Sequence, residues 1–212
     1  MRTRKLTSGK LFMLALGVWV AALGSGFTVL LRYASAPGAM DAVPQLAWPA
    51  DSRLGRRAHR PTLVLFAHPH CPCSRASISE LARLLPRLPD GLEAYVLFVR
   101  PDETSPDSDR TDLWRSAVAI PGVTVLEDEE GVEAERFHAL TSGLTIVYDG
   151  EGRLLFRGGI TSARGHEGDS FGRERIISLL TTGKADRNDS PVFGCALGPA
   201  HRASAKGLED ES

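Results

Sequence analysis

The sequence predicts an α/β domain with a central mixed β-sheet flanked by helices, preceded by one N-terminal transmembrane helix. Three observations carry this. Residues 11 to 31 contain no charged side chain and follow a purely basic start. Short β-rich apolar runs then alternate with segments whose apolar residues recur at helical spacing. A turn-linked pair of strands closes the series.

Taken in order, residues 1–10 carry Arg2, Arg4, Lys5 and Lys10 and no acid, and form a basic flank to the span 11–31. At 1.5 Å per residue these 21 residues reach about 30 Å, the thickness of a bilayer core. Ala34, Ser35 and Ala36 offer a small-residue cleavage pattern, but Pro37 directly after it favours an uncleaved anchor. The positive-inside rule keeps the flank in the cytoplasm and exports the residues beyond the span. For a bacterial chain the expected location is the inner membrane, single-pass, with the C-terminal domain in the periplasm.

Residues 35–60 contain Pro37, Pro44 and Pro49 and no sustained apolar period, so they read as a tether. Five of the 25 basic residues lie before residue 35, which leaves 20 against 26 acidic ones in the exported part. An acidic domain of this kind excludes nucleic acid as the expected partner.

The domain is expected over 61–183. Thr62 to Ala67 is an apolar run of strand length, suited to a sheet centre. Ile78, Leu81, Ala82, Leu84, Leu85 and Leu88 then mark one face of a helix, with Arg75, Glu80, Arg83 and Arg87 off it. Pro72 fits the first helical turn, which places Cys71 and Cys73 at the helix N-terminus. Leu92 to Val99 reads as a second strand, residues 101–109 as a polar loop, and Leu113 to Ile120 as a short helix. Val123 to Leu126 comes next as a strand, and Glu127 to Glu130 as a solvated acidic turn. Val132 to Leu140 reads as a helix, and residues 144–161 as a hairpin turning at Asp149–Gly152. Asp169 or Ser170 caps a last helix whose apolar side includes Phe171, Ile176, Ile177, Leu179 and Leu180, closed by Gly183. Residues 184–212 read as a largely disordered tail with a docking segment near 191–197 that carries Cys195.

Helix N-termini favour a thiolate over a thiol, because unpaired amides and the helix dipole stabilise negative charge there. Cys71 and Cys73 therefore fit reactive rather than inert cysteines, with His68 and His70 flanking them. A disulfide between Cys71 and Cys73 would close a small, strained ring. Three cysteines are also too many for one structural pair, so Cys195 is a candidate third catalytic thiol.

The strand, Cys-Pro-Cys turn and long helix resemble the active-site unit of the thioredoxin-like superfamily, with Cys-Pro-Cys in place of C-x-x-C. The order of later elements resembles the membrane-tethered thiol-disulfide oxidoreductases and peroxiredoxin-like relatives. The resemblance covers about residues 60–182. It implies thiol-disulfide redox chemistry with a protein thiol or disulfide partner and no cofactor. It puts Cys73, behind Pro72, at the second-cysteine position, and Ser142 and Gly143 where the family has a cis-proline facing the cysteines. That cis-proline keeps metals off the thiols, so its replacement leaves a second reading open. In it the chain binds or delivers copper or zinc through His68, His70, Cys71 and Cys73, with His166 or Cys195 as a distant ligand. A third reading keeps the fold as a non-catalytic interaction module.

Overall fold

In a computed structural model, residues 8–100 and 111–197 are described. The expectations for residues 1–7 of the basic flank, for the loop 101–109 and for the tail beyond 197 lie outside them. The chain divides into two compact units, residues 1–36 and 37–212.

Within the first unit, α1 (Ser8–Ser35) is one continuous helix. An 18-residue window within Gly9–Ser35 has a mean hydropathy of 2.0, and the stretch is long and apolar enough to cross a membrane. Leu14, Trp19, Phe27 and Leu30 are all exposed.

The second unit is built on a five-stranded sheet of β1 (Thr62–Ala67), β2 (Glu93–Arg100), β3 (Val123–Glu129), β4 (Leu144–Tyr148) and β5 (Leu154–Gly159). The order is β3-β2-β1-β4-β5. β1, β2 and β3 run parallel, while β4 is antiparallel to β1 and to β5. β1 is central and every residue in it is buried. Leu63, Leu65 and Ala67 pack on one face with Ile78 and Leu81 of α2 (Pro72–Leu84), Leu113 of α3 (Asp112–Val118) and Ile176 of α5 (Phe171–Thr182). Val64 and Phe66 point to the other face, against Ala134 of α4 (Val132–Arg136), Phe137, Ile146 and Tyr148. Each fully buried Leu or Phe contributes about 1.5–3 kcal/mol, so the two-sided strand anchors the domain.

The segment 37–60 packs on this second face. Trp48 meets Phe137 and Tyr148 edge-on, with ring centroids 5.1 and 5.3 Å apart, and its amide donates to the Gly152 carbonyl at 2.8 Å.

Three local expectations are corrected. β3 extends through Glu129, so the acidic run is strand rather than turn. Asp128 is fully buried. Its carboxylate accepts from the Glu133 and Ala134 amides at 2.8 and 2.7 Å, which caps α4. Glu80, expected on the polar face of α2, is also fully buried, because Arg173 of α5 pairs with it. Gly168 N–H reaches the same carboxylate at 2.8 Å. The rotation of α5 that brings Arg173 inward turns Phe171 out, and Phe171 is exposed rather than part of the apolar side.

After α5, residues 188–197 form a strap along the exposed edge of β5 and on to the turn before β4. Asp189 bridges Arg157 in parallel sense and Ala196 bridges Thr141 in antiparallel sense. Two glycines make room. A Cβ on Gly172 would lie 1.9 Å from the Gly159 carbonyl oxygen, and one on Gly158 would lie 2.3 Å from Ser190 Oγ.

Gly172→Ala is expected to lower stability by about 1–3 kcal/mol, the usual cost of an overpacked site. Urea unfolding of the variant beside the natural protein measures it.

Candidate functional site: a three-thiol cluster

Cys71 is the N-cap of α2, in extended conformation (φ −91°, ψ 122°), with Pro72 at the first helical position. Pro72 has no N–H to leave unsatisfied and its fixed φ already suits a helix. The Cys71 carbonyl accepts from the Ser74 amide at 3.0 Å and starts the helical ladder. The Cys71 sulfur takes donors from its own helix and from outside it.

Those donors come from three parts of the chain. The turn before β4 supplies Ser142, whose Oγ lies 3.5 Å from Cys71 Sγ. Gly143 sets that turn. Its φ is +86°, its amide donates to the Phe66 carbonyl at 2.7 Å, and a Cβ on it would lie 2.8 Å from Ser77 Oγ. A side chain here would meet both backbone strain and α2. The strap supplies Cys195. Ser142 N–H donates to the Cys195 carbonyl at 2.8 Å, and Cys195 N–H donates to Ser142 Oγ at 2.9 Å. Cys73, in the first turn of α2, is the third.

All three sulfurs are free thiols; Cys71 and Cys73 are buried and Cys195 is half-buried. Cys71 is only 1 % exposed, yet its thiol is pulled far down, to about 3. The chief cause is the hydrogen bond from Cys73; burial opposes it, and Cys195, Ser142 and the Ser74 amide add further bonds. Cys73 is pushed strongly up, first because its proton is committed to Cys71 and then by burial, with the Gly165 amide acting in the other sense. Cys195 is pushed up to about 11 by burial and by Cys71, while the charge of Arg164 draws it down. Arg164 Nη1 also donates to the Gly194 carbonyl at 2.6 Å. The arrangement can hold one anionic sulfur and two protonated ones beside it.

The loop 161–169 reaches the cluster through Gly165 and Arg164 and is tied to α2 from below. Glu80 joins Gly168 and Arg173, and Arg83 bridges Glu80 and Glu167 at 2.5 and 2.9 Å. This fastening was hidden in the sequence, since Glu80 sits off the apolar stripe. The one signal for it is Arg173, a cation on the α5 face otherwise occupied by Ile176.

The histidines are placed differently. His68 is half-buried after β1, His70 is exposed, and the His70 amide meets His68 Nδ1 at 3.3 Å. His166 is exposed in the loop 161–169. Among the described residues no group of three or more His, Cys, Asp or Glu side chains is arranged to hold a metal ion. A shallow cavity of about 290 Å³ opens beside Cys71, lined by Pro69, His70, Pro72, Arg75, Asp112 and Leu113.

The depression of Cys71 has a spectroscopic consequence. In the fully reduced protein, thiolate absorbance at 240 nm is expected to persist through pH 5 and to vanish only toward pH 3, because the pKa is lowered and protonation comes as pH falls through it. Cys73→Ala removes the main donor and is expected to move that midpoint upward.

No family model and no curated protein matches the sequence. Solved structures do. An uncharacterized conserved protein from Geobacillus kaustophilus matches at TM-score 0.56 and 20% identity over 77% of this chain and 92% of its own. A hypothetical protein from Sinorhizobium meliloti matches at TM-score 0.52 and 20% identity over 76% and 93%. The thioredoxin domain of a thiol-disulfide oxidoreductase from Bacteroides vulgatus is more distant, at TM-score 0.44 and 15% identity over 69% and 99%. With three parallel strands and an antiparallel pair in the order β3-β2-β1-β4-β5, and a helix springing from a Cys-Pro-Cys turn after the central strand, the fold of this chain is thioredoxin-like.

Proposed function

We propose that this protein is a membrane-anchored thiol-disulfide oxidoreductase whose attacking group is Cys71. The observation that carries the reading is the convergence of three free thiols on one helix N-terminus, with the Cys71 thiol drawn down and the other two pushed up. A structural disulfide needs no such charge separation. A nucleophile does, because the thiolate is the attacking form.

In this reading Cys71 attacks one sulfur of a partner disulfide. A Cys71–partner mixed disulfide forms and the other partner sulfur leaves as a thiolate. A second cysteine of the cluster, Cys73 or Cys195, then attacks Cys71 Sγ, and its proton goes to the departing partner sulfur. Two electrons pass to the substrate and an intramolecular disulfide remains. The reverse sequence oxidises a dithiol. α1 would hold the domain at the bacterial inner membrane, with the domain in the periplasm, where disulfide exchange has protein substrates.

The full chain in detergent, assayed for reduction of insulin and of hydroxyethyl disulfide with dithiothreitol as electron source, tests this. Activity is expected in the natural protein and is expected to fall to background in Cys71→Ser. Inactivity of the natural protein on both substrates, with copper or zinc retained stoichiometrically by free thiols, would overturn it.

A further inference from the structure

The two thiols beside Cys71 are not equivalent, and the backbone says how they differ. Cys73 lies two residues from Cys71 across Pro72, inside the first turn of α2. The Cys71 carbonyl is engaged by the Ser74 and Arg75 amides at 3.0 and 3.4 Å. Closing a bond over Pro72 alone would require that turn to unwind, since a disulfide demands a defined separation and dihedral that so short a ring strains. The Gly165 amide also acts on the Cys73 thiol, drawing it down against the other influences.

Cys195 meets none of these obstacles. It comes from a separate segment, approaches Cys71 from the side of Ser142, and is the most exposed of the three thiols. The strap that carries it is anchored on both sides of the cysteine. Upstream, Val192 is fully buried and its carbonyl accepts from Gly38 N–H at 2.7 Å; downstream, Leu197 is buried and its amide donates to the Leu140 carbonyl at 2.9 Å. Between the anchors the backbone is held by hydrogen bonds with Ser142 and Arg164 and by the Ala196 bridge to Thr141. Gly194 lets this middle part lie flat, since a Cβ there would fall 1.8 Å from the Ser142 carbonyl oxygen.

We propose that Cys195 is the resolving thiol, closing a disulfide with Cys71, and that Cys73 stays a thiol throughout as a positioning residue beside Cys71. This rests on the redox reading of the preceding subsection. Cys71 displaces one sulfur of a substrate disulfide, RSSR, forming Cys71–S–S–R and releasing RS⁻. With the Cys71 charge consumed, the anion that disfavoured ionisation of Cys195 is gone, while the Arg164 charge remains. The Cys195 sulfur then attacks Cys71 Sγ, the Cys71–SR bond breaks, and the Cys195 proton goes to the departing RS⁻. The Cys71 and Cys195 pair has lost two electrons and the substrate has gained them. An external dithiol reductant returns the pair to its reduced state by the same exchange.

The test exposes the reduced full chain in detergent to oxidised glutathione, quenches with acid, and maps disulfides and free thiols by mass. In the natural protein the expected product is a Cys71–Cys195 disulfide with Cys73 still alkylatable. Cys195→Ser is expected to accumulate the Cys71–glutathione mixed disulfide. Cys73→Ala is expected still to close Cys71–Cys195, with the pH profile of closure moved upward, which a merely structural residue would not do. Gly194→Ala keeps every sulfur and pushes the strap and Ser142 apart, so it is expected to slow closure and prolong the mixed disulfide. A Cys71–Cys73 disulfide in the natural protein, formed equally well by Cys195→Ser and followed by turnover, would overturn this assignment and leave the redox reading standing. Absence of any Cys71 disulfide in all four proteins would overturn both.

Discussion

A sulfur with 1 % of its surface exposed and its pKa drawn far down is an expensive thing for a protein to hold. Burying an isolated charge costs several kcal/mol even after relaxation, and hydrogen bonds to the charged form are what offset it. Cys71 is supplied with four, from Cys73, Cys195, Ser142 and the Ser74 amide, at the positive end of a helix. No single element can provide that set. The Ser74 amide and Cys73 come with α2, Ser142 with the turn before β4, and Cys195 with the C-terminal strap. The rest of the domain can be understood as what brings these three parts to one point.

Small residues do most of that work. Gly143 lets the Ser142 turn settle on α2 next to Ser77, and Gly194 lets the strap settle on Ser142. Gly158, Gly159 and Gly172 clear the edge of β5, so that Ser190 and Pro191 lie against backbone. Ser190 Oγ donates to the Gly159 carbonyl at 2.6 Å, which satisfies a group that an uncovered sheet edge would leave to solvent. Pairing along β5 therefore fixes the course of the strap, and the course of the strap fixes where Cys195 meets Cys71. The Glu80–Arg173 pair plays the matching part on the other side, where a buried and fully paired carboxylate holds the loop bearing Gly165 and Arg164.

The strands and most helices were legible in the sequence because their signals are local. Period-two and period-3.6 apolar patterns, Pro72 behind an N-cap, Ser170 at a helix start and Gly183 at its end each act within a few residues. Ser170 Oγ does accept from the Arg173 amide, and Gly183 takes φ +71°. What could not be read was polar, and for Glu80 also long-range. Nothing near Glu80 says that a cation 93 positions later will draw it inside, and nothing near Asp128 says that its carboxylate will cap α4 rather than face water. The segment 37–60 lacks any apolar period because it makes its contacts singly, through Trp48 and Leu54, instead of along a regular face.

Opposite pKa shifts within one cluster also constrain how it can be used. A thiol proton donated to Cys71 is not free for any other step in the same state. While Cys71 is the anion, Cys73 and Cys195 are its donors and are poor nucleophiles themselves. Once Cys71 enters a covalent bond, its charge disappears and both neighbours are released from that duty. In the proposed reaction the cluster orders its own chemistry, because the second thiol becomes competent only after the first has reacted. In that proposed reaction, which neighbour responds is then decided by geometry, with the Arg164 charge drawing the Cys195 thiol down.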